Sequence, residues 1–302
     1  MIDVLGSIAL DLVMTCTTLP RVGETVLTDS YRLAPGGKGA NQALAARRAG
    51  AEVRFVGSVG QDDFANRALT NLEAAGIGLD CVARTLAPTG CATVCVDAYG
   101  ENQIVVASGA NLLTRAEQMA GLGDAGDVLL LQLEISPEQN WQAIEFGGQA
   151  VKVLNAAPYA PIPAAALSAL DVLIVNELEA EMLSENHGFG ETAPVAIARA
   201  AAERFGLTCI VTLGAEGAVS WHAGGGYRAP ALPLDAKDTV GAGDAFVGAY
   251  CAALADGHEH ALCLRRAIVS GSLTCAFPGA QEGIPDALSI DGLLDEVAVE
   301  TF

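Results

Sequence analysis

Lys237-Asp238-Thr239-Val240-Gly241-Ala242-Gly243-Asp244-Ala245-Phe246 sets two glycines and a carboxylate where a loop gives way to an apolar, helix-like run over 244–255. Gly241 and Gly243 lack a β-carbon, so their backbone N–H groups can approach an anion closely. A helix N-terminus adds free N–H donors and the positive end of the helix dipole, which together favour phosphate oxygens. Asp244 is the one strong base in that position, placed to accept a proton from an attacking hydroxyl. Taken alone, the same aspartate reads equally as an ordinary helix N-cap. A second glycine turn, Gly36-Gly37-Lys38-Gly39-Ala40-Asn41-Gln42-Ala43, runs into a helix-like segment over 41–49. Its spacing is not that of a Walker loop, because no Ser or Thr follows Lys38 and Arg32 stands five residues before Gly37.

Strand-like runs at 2–8, 53–56, 128–133, 151–154, 172–175 and 209–213 are separated by helix-like segments. The segments 62–75, 137–149, 194–205 and 244–255 carry apolar residues at helical spacing. This alternation predicts an α/β fold with a mainly parallel sheet and right-handed crossovers. Two segments, 15–33 and 89–107, break the rhythm; richer in Thr, Val and turn residues, they read as short antiparallel strands. No internal repeat, low-complexity tract or Pro-rich linker interrupts the 302 residues, so one domain over 1–302 is expected, with those two segments inserted.

Composition bounds the partners. Hydrophobic residues make up 51% and aromatics 5%, with Ala, Val and Leu dominant, as expected of strands buried beneath helices. A net charge of -20 argues against nucleic acid, whose phosphates need a basic surface. It leaves room for a small anion held by oriented amides and a metal ion. Of only three lysines, Lys38, Lys152 and Lys237, two lie in the glycine motifs. The eight cysteines form no CxxC pair and read as small buried hydrophobes in a reducing cytoplasm. No apolar run is long enough for a membrane span, and the start at Met1 lacks the pattern of a signal peptide, so a cytoplasmic location away from membranes is expected. His187, His222, His258 and His260 stand in loop-like or polar contexts, with His258 and His260 read as a solvated connection in preference to a metal site.

Together the two glycine motifs resemble the paired signatures of the PfkB carbohydrate kinases, and GGKGANQA is most similar to the ribokinase type within that family. The resemblance continues in order along nearly the whole chain: Val4-Leu5-Gly6-Ser7-Ile8 with Asp11, Gly23-Glu24-Thr25, Gly109-Ala110-Asn111, Gln132-Leu133-Glu134, Asn176-Glu177-Leu178-Glu179, Thr212-Leu213-Gly214 with Gly217, and Gly279-Ala280-Gln281. It implies a ribokinase-like three-layer sandwich with a mainly parallel central sheet and a small β-sheet lid over the sugar, built from 15–33 and 89–107. In the ribokinase type that lid also pairs two subunits, so a homodimer is implied. The implied reaction is transfer of the γ-phosphoryl group of ATP to the primary hydroxyl of a pentose, most simply D-ribose giving ribose 5-phosphate. ATP is the co-substrate, with Mg²⁺ and a monovalent cation, K⁺, as helpers.

The family's roles carry over residue by residue. Asp244 is the base, with the amides of Gly241, Ala242, Gly243 and Asp244 as an anion hole. Asp11, Gly37, Lys38, Asn41 and Glu134 fall on the sugar side, Asp11 just after one apolar strand and Glu134 at the end of another. Asn176 and Glu179 match an NxxE motif at a strand's carboxyl end, Glu179 reaching Mg²⁺ through water. Thr212, Gly214, Gly217 and the stretch 270–272 fall beside adenine. Asp238, Val240, Thr274, Phe277 and Gly279 fall around the monovalent cation, mostly through backbone carbonyls. The readings that compete with these roles are exposed strand-end acids for Asp11 and Glu134, a solvated first-turn helix acid for Glu179, and ordinary helix packing for 270–272.

Two positions depart from the pattern. Ala9 stands where ribokinases commonly carry an asparagine that helps hold ribose, which opens the acceptor to a nucleoside or another sugar. Gly283 stands where a hydroxyl residue usually completes the cation shell. A phosphorylated sugar as acceptor would call for more basic residues near the lid than Arg21, Arg32 and three lysines. A non-catalytic sugar or nucleotide sensor need not keep Asp244, and a nicotinamide-dependent oxidoreductase would carry GxGxxG after the first strand, which is absent.

Overall fold

The structure is a computed structural model that describes residues 1–97, 101–122, 126–222 and 224–302, and of Asn102 only the backbone. Residues 98–100, inside the expected lid segment 89–107, lie outside the described residues. In chain order the first half contains β1 (Ile2–Leu5), β2 (Ala9–Thr15), β3 (Tyr31–Gly36), α1 (Lys38–Arg48), β4 (Val53–Gly60) and α2 (Asp63–Ala74). It continues with β5 (Gly78–Thr85), β6 (Gly90–Val96), β7 (Asn102–Ala107), β8 (Val128–Gln132), α3 (Pro137–Phe146) and β9 (Val151–Asn155). The second half holds α4 (Ala164–Leu167), β10 (Val172–Asn176), α5 (Glu177–His187), α6 (Pro194–Phe205) and β11 (Thr208–Thr212). After these come β12 (Ala218–His222), β13 (Gly225–Ala229), α7 (Ala242–Ala255), α8 (His260–Thr274), α9 (Ala287–Asp291) and β14 (Glu300–Thr301).

The central sheet has ten strands in the order β14-β13-β12-β11-β10-β9-β8-β1-β4-β5. From β11 to β5 every neighbour is parallel. The strands β12 to β14 add an antiparallel edge. Helices cover both faces. Ile2, Val4, Phe55, Val128, Leu130 and Ile174 point to the side packed by α1, α2, α7 and α8. Their alternates Leu5, Val56, Leu129, Leu131, Leu173 and Val211 point to the side packed by α3, α5 and α6. Burial on both faces explains why these strands read as continuous apolar runs. β5, β12 and β13 carry polar, charged or glycine residues between the apolar ones, and β14 is only Glu300-Thr301, so no such run marks them in the sequence.

A separate four-stranded sheet runs β3-β2-β6-β7. Its outer pairs are antiparallel, as expected, but the inner pair β2–β6 is parallel. The first lid segment is also shifted: strands occupy Ala9–Thr15 and Tyr31–Gly36, and 16–30 forms the connection between them. Ile8, Ala9 and Leu10 are buried, so the chain leaving β1 extends directly into β2. Beyond buried Cys16, by contrast, Arg21 O accepts from Glu24 N in a turn around exposed Val22, and no residue of 17–30 is buried to reward an extended strand. Asp11 therefore lies within β2 of the small sheet, not just beyond a strand of the large one.

Candidate active site

Ser7, Glu134, Asn155, Asn176 and Thr212 all lie at or just beyond the carboxyl ends of parallel strands, where open α/β sheets bind ligands. The N-termini of α1 and α7 are at the same end. Their close approach depends on small residues: a β-carbon at Gly248 of α7 would lie 2.5 Å from Ala45 Cβ and 2.6 Å from Gln42 O of α1. That contact brings α1's polar first turn against Asp244. Asn41 Nδ2 donates to Asp244 Oδ2 and Gln42 Nε2 to Asp244 Oδ1, each at 2.9 Å. Asp244 is only 7% exposed, so each carboxylate oxygen has a fixed partner in a site that screens charge weakly.

Gly241, the N-cap of α7, has φ +80°, and a β-carbon there would lie 2.8 Å from Ala280 Cα, so this position demands glycine. Gly243 is different. It sits within the first turn of α7, and a β-carbon would meet nothing within 4 Å. Ala242 N is tied to Thr239 O at 3.3 Å, whereas the amides of Gly243 and Asp244 find no acceptor among the described residues. They are free donors at a helix N-terminus, as an anion hole requires.

A cleft of about 770 Å³ opens from these amides, lined by Asn176, Thr212, Gly214, Gly217, Gly271 and Ser272 among others, with Leu232, Phe246 and Ile268 as apolar walls. The structure thus brings Asn176, Thr212, Gly214, Gly217, Gly271 and Ser272 into one cavity that begins at Gly243, whereas Glu179 does not line it. Ser272 Oγ accepts from Leu232 N at 3.1 Å, and Ser270 is buried in α8 away from the cleft lining. Asn176 and Glu179 form a capping box on α5: Glu179 N donates to Asn176 Oδ1 and Asn176 N to Glu179 Oε2, both at 2.8 Å. The motif therefore has a structural duty in this chain. Burial pushes the pKa of Glu179 up against the pull of Asn176 N–H and Lys38. Its Oε1 makes no hydrogen bond among the described residues and could face a hydrated metal ion.

On the other side of Asp244 lie the residues expected to hold the sugar. Glu134 Oε2 accepts from Ser7 Oγ at 2.6 Å and from Lys38 N at 2.9 Å, which anchors it beside the N-terminus of α1. Gly36 makes room for Asp11, since a β-carbon there would lie 2.7 Å from the Asp11 carboxyl carbon. Burial, followed by repulsion from Glu134, raises the pKa of Asp11 to about 6, with Arg32 pulling the other way. Lys38 keeps its charge because attraction to Asp244, with help from Glu134 and Glu179, outweighs the cost of its burial. Gly37, the N-cap of α1 with φ +91°, has no room for a side chain against Ala9 N at 2.9 Å. Asn41 is 6% exposed with both ends of its amide engaged, on Asp244 and on Gln281, so one N–H and one carbonyl lone pair are all it retains for a ligand.

Of the five positions expected around a monovalent cation, Asp238, Val240, Phe277 and Gly279 fall on two adjoining loops and Thr274 is the last residue of α8; Asp238 ties the loops, its Oδ1 accepting from Val240 N at 3.0 Å and Oδ2 from Gly279 N at 2.8 Å. A β-carbon at Gly283 would lie 2.6 Å from Thr274 O and 2.9 Å from Phe277 Cβ, so a larger residue could not enter without moving them. Among the described residues no group of three or more His, Cys, Asp or Glu side chains is arranged to hold a metal. His260 corrects its sequence reading. It opens α8 and is largely buried, with Ser220 Oγ at 2.8 Å from Nε2 and Tyr250 OH at 3.0 Å from Nδ1, and burial lowers its pKa to about 4. No sequence signal marked it, because its partners come from β12 and α7. Sequence reasoning also left Ser7, Gln42 and Asn155 without roles, although Gln42 lies inside the quoted glycine motif and Ser7 inside the first strand motif.

A family model described as pfkB family carbohydrate kinase matches residues 1–287. The ribokinase of Bacillus subtilis (strain 168) is 36% identical over 304 residues, spanning 97% of this chain and 99% of its own. Ribokinase from Thermotoga maritima superposes with a TM-score of 0.90 at 31% identity, over 98% of this chain and 99% of its own. Arabidopsis thaliana ribokinase, solved with ribose and ATP, gives 0.86 at 29% identity over 97% and 98%.

Proposed function

The chain belongs to the pfkB family of carbohydrate kinases, and from that membership we propose that it transfers the γ-phosphoryl group of ATP to the primary hydroxyl of a pentose, most simply O5 of D-ribose, giving ribose 5-phosphate. The observation that carries the reading is the placement of Asp244, clamped by Asn41 and Gln42, with the free amides and the long cleft on one side and Asp11, Lys38 and Glu134 on the other. ATP fits the cleft with its phosphates at Gly243 and its base toward Leu232 and Ile268. The sugar fits between Asp11 and Glu134, whose carboxylates accept from its hydroxyls. Asp244 takes the proton of O5 as that oxygen bonds to the γ-phosphorus, and the bond to the β-phosphate oxygen breaks to release ADP. The amides of Gly243 and Asp244 and the charge of Lys38 meet the negative charge spread over the transferred group.

Glu179, whose Oε1 is left unbonded by the capping box, would hold a magnesium ion through water, and that ion would supply neutralisation of the phosphates. The loops tied by Asp238, close to the N-cap of α7, would hold a potassium ion mostly through backbone carbonyls, and Gly283 would add no side chain to that shell. The whole of 1–302 acts as one domain, the small sheet serving as lid and as the contact with a second copy. Consecutive exposed residues Ile104, Val105 and Val106 on its edge strand β7 support that contact. Eight free cysteines fit a reducing cytoplasm, and among the described residues no helix is long and apolar enough to cross a membrane.

Ala9 favours a second reading, a kinase for a nucleoside or another sugar, because the buried methyl offers no hydrogen bond where an asparagine is common. An ATP-coupled assay over pentoses, hexoses and nucleosides separates the two, run on the parent chain, Asp244→Asn and Ala9→Asn. Ribose should give the highest kcat/KM, Asp244→Asn should lose roughly 10²- to 10⁴-fold in kcat, and Ala9→Asn should leave ribose KM unchanged or lower. A better acceptor that Ala9→Asn impairs would replace ribose. Undiminished turnover by Asp244→Asn would remove the base from the mechanism.

A further inference from the structure

Asn41, which donates to Asp244 Oδ2, is itself held from behind. Its Oδ1 accepts from Gln281 Nε2 at 2.9 Å, and Gln281 Oε1 accepts from Asn71 Nδ2 at 2.7 Å. Three side-chain amides thus run head to tail from α2, through the loop after α8, to α1 and on to Asp244. Gln281 is 1% exposed and Asn41 6%, so water does not compete for the inner links. We propose that Gln281, backed by Asn71, is a positioning residue for phosphoryl transfer that acts through Asn41 on the catalytic carboxylate; the inference rests on Asp244 being the base.

The direction of the chain follows from its end. A carboxylate only accepts, so Asn41 must present an N–H to Asp244 and turn its carbonyl the other way. That carbonyl needs a donor in a buried site, and the Gln281 amide provides one; Gln281's own carbonyl then needs Asn71. Gln281 is also placed by the catalytic loop. Gly279 N is fixed to Asp238 Oδ2 and Ala280 packs against the N-cap Gly241, so the turn that shapes the start of α7 also aims the relay. None of Asn41, Gln281 and Asn71 lines the cleft assigned to ATP. Its loss should therefore misdirect the base without weakening the nucleotide.

Gln281→Glu keeps the shape but takes away the donor, so Asn41 is drawn round to donate to the new carboxylate and turns its carbonyl on Asp244. Gln281→Met removes both polar ends at similar volume, and Asn71→Leu cuts the outer, half-buried link. The measurement is kcat and KM with ribose and ATP for each variant, alone and combined with Asp244→Asn, together with thermal midpoints. Gln281→Glu should lose about tenfold or more in kcat, the scale of one hydrogen bond to a charged group, with KM for ATP unchanged. Gln281→Met should lose less, and Asn71→Leu least. In Asp244→Asn the same changes should have no further effect on residual turnover, because the group they position is gone. If Gln281→Glu keeps parent kcat, or lowers it equally in Asp244→Asn, or only lowers the thermal midpoint, the relay is a structural clamp and the proposal falls. Should Gln281→Glu not fold, Gln281→Met and Asn71→Leu decide between relay and clamp by the same criteria. Parent-like turnover in Asp244→Asn alone defeats the base assignment and the relay with it, whereas an impaired Asp244→Asn beside a normal Gln281→Glu defeats only the relay.

Discussion

Replacing Gly241 and Gly243 by alanine should give opposite results, although the two residues stand two apart in one motif. At Gly241 the backbone has φ +80°, and a β-carbon would come within 2.8 Å of Ala280 Cα. Forcing alanine into the left-handed region costs about 1–2 kcal/mol, and crowding a packed backbone adds about 1–3 kcal/mol. The sum is a large share of a typical total stability of about 5–15 kcal/mol, and the thermal midpoint should fall by roughly 5–15 °C. At Gly243 the backbone is already helical and the β-carbon is free, so Gly243→Ala should fold as well as the parent, or gain up to about 1 kcal/mol. Its methyl, however, would be added at a residue that itself lines the cleft. Losing one charge-assisted hydrogen bond of about 1.5–3 kcal/mol should lower kcat/KM for ATP about 10- to 100-fold. Differential scanning calorimetry and initial-rate kinetics on both variants check the pair. Gly243→Ala with normal ATP kinetics, or with a drop in midpoint matching Gly241→Ala, would refute the anion-hole argument.

Acidification should raise KM for the sugar as pH falls through about 6, because the raised pKa of Asp11 leaves its carboxylate protonated below that point; Asp11→Asn should bind the sugar poorly at every pH, and an unchanged acid profile in that variant would remove Asp11 from the sugar site. His260 makes stability pH-dependent in a definite sense. Its pKa in the fold is about 4, below the ordinary 6.5, so the unfolded chain takes up a proton first and the contribution of this histidine, present above about 6.5, is lost as pH falls toward 4. Thermal midpoints between pH 7 and 4.5 should therefore fall more steeply in the parent than in His260→Gln, and equal slopes would mean the ring is not held neutral. Turnover should rise when sodium is replaced by potassium at constant ionic strength, and a flat response across the alkali cations would count against the loops tied by Asp238.

The strands at 53–56, 151–154 and 172–175 and the glycine turns at 36–39 and 241–243 were legible in the sequence for local reasons. Burial on both faces writes an unbroken apolar run, and a helix start that admits an anion writes glycine. The edge strands β12 to β14 and the parallel pairing of β2 with β6 were not, because alternating or glycine-rich segments state no partner. The same divide runs through the site. Asp244, Glu179 and Lys38 could be singled out by residue type beside a motif, but the NxxE motif's duty as a capping box and the engaged ends of Asn41 required coordinates.

By itself, then, the sequence determined the alternating α/β architecture, the two helix starts that can face a phosphate, and the carboxylate proposed as the base, since each strand, turn and helix start is written within about ten consecutive residues. The tertiary structure decided what surrounds that base. Asn41 and Gln42 are separated from Asp244 by 203 and 202 positions, and Gln281 from Asn41 by 240. They meet because Gly248 lets α7 lie against Ala45 of α1 and because Gly241 lets the turn at Ala280 close over the helix start. Such contacts depend on the packing distance between elements, a quantity that no local pattern of residues expresses.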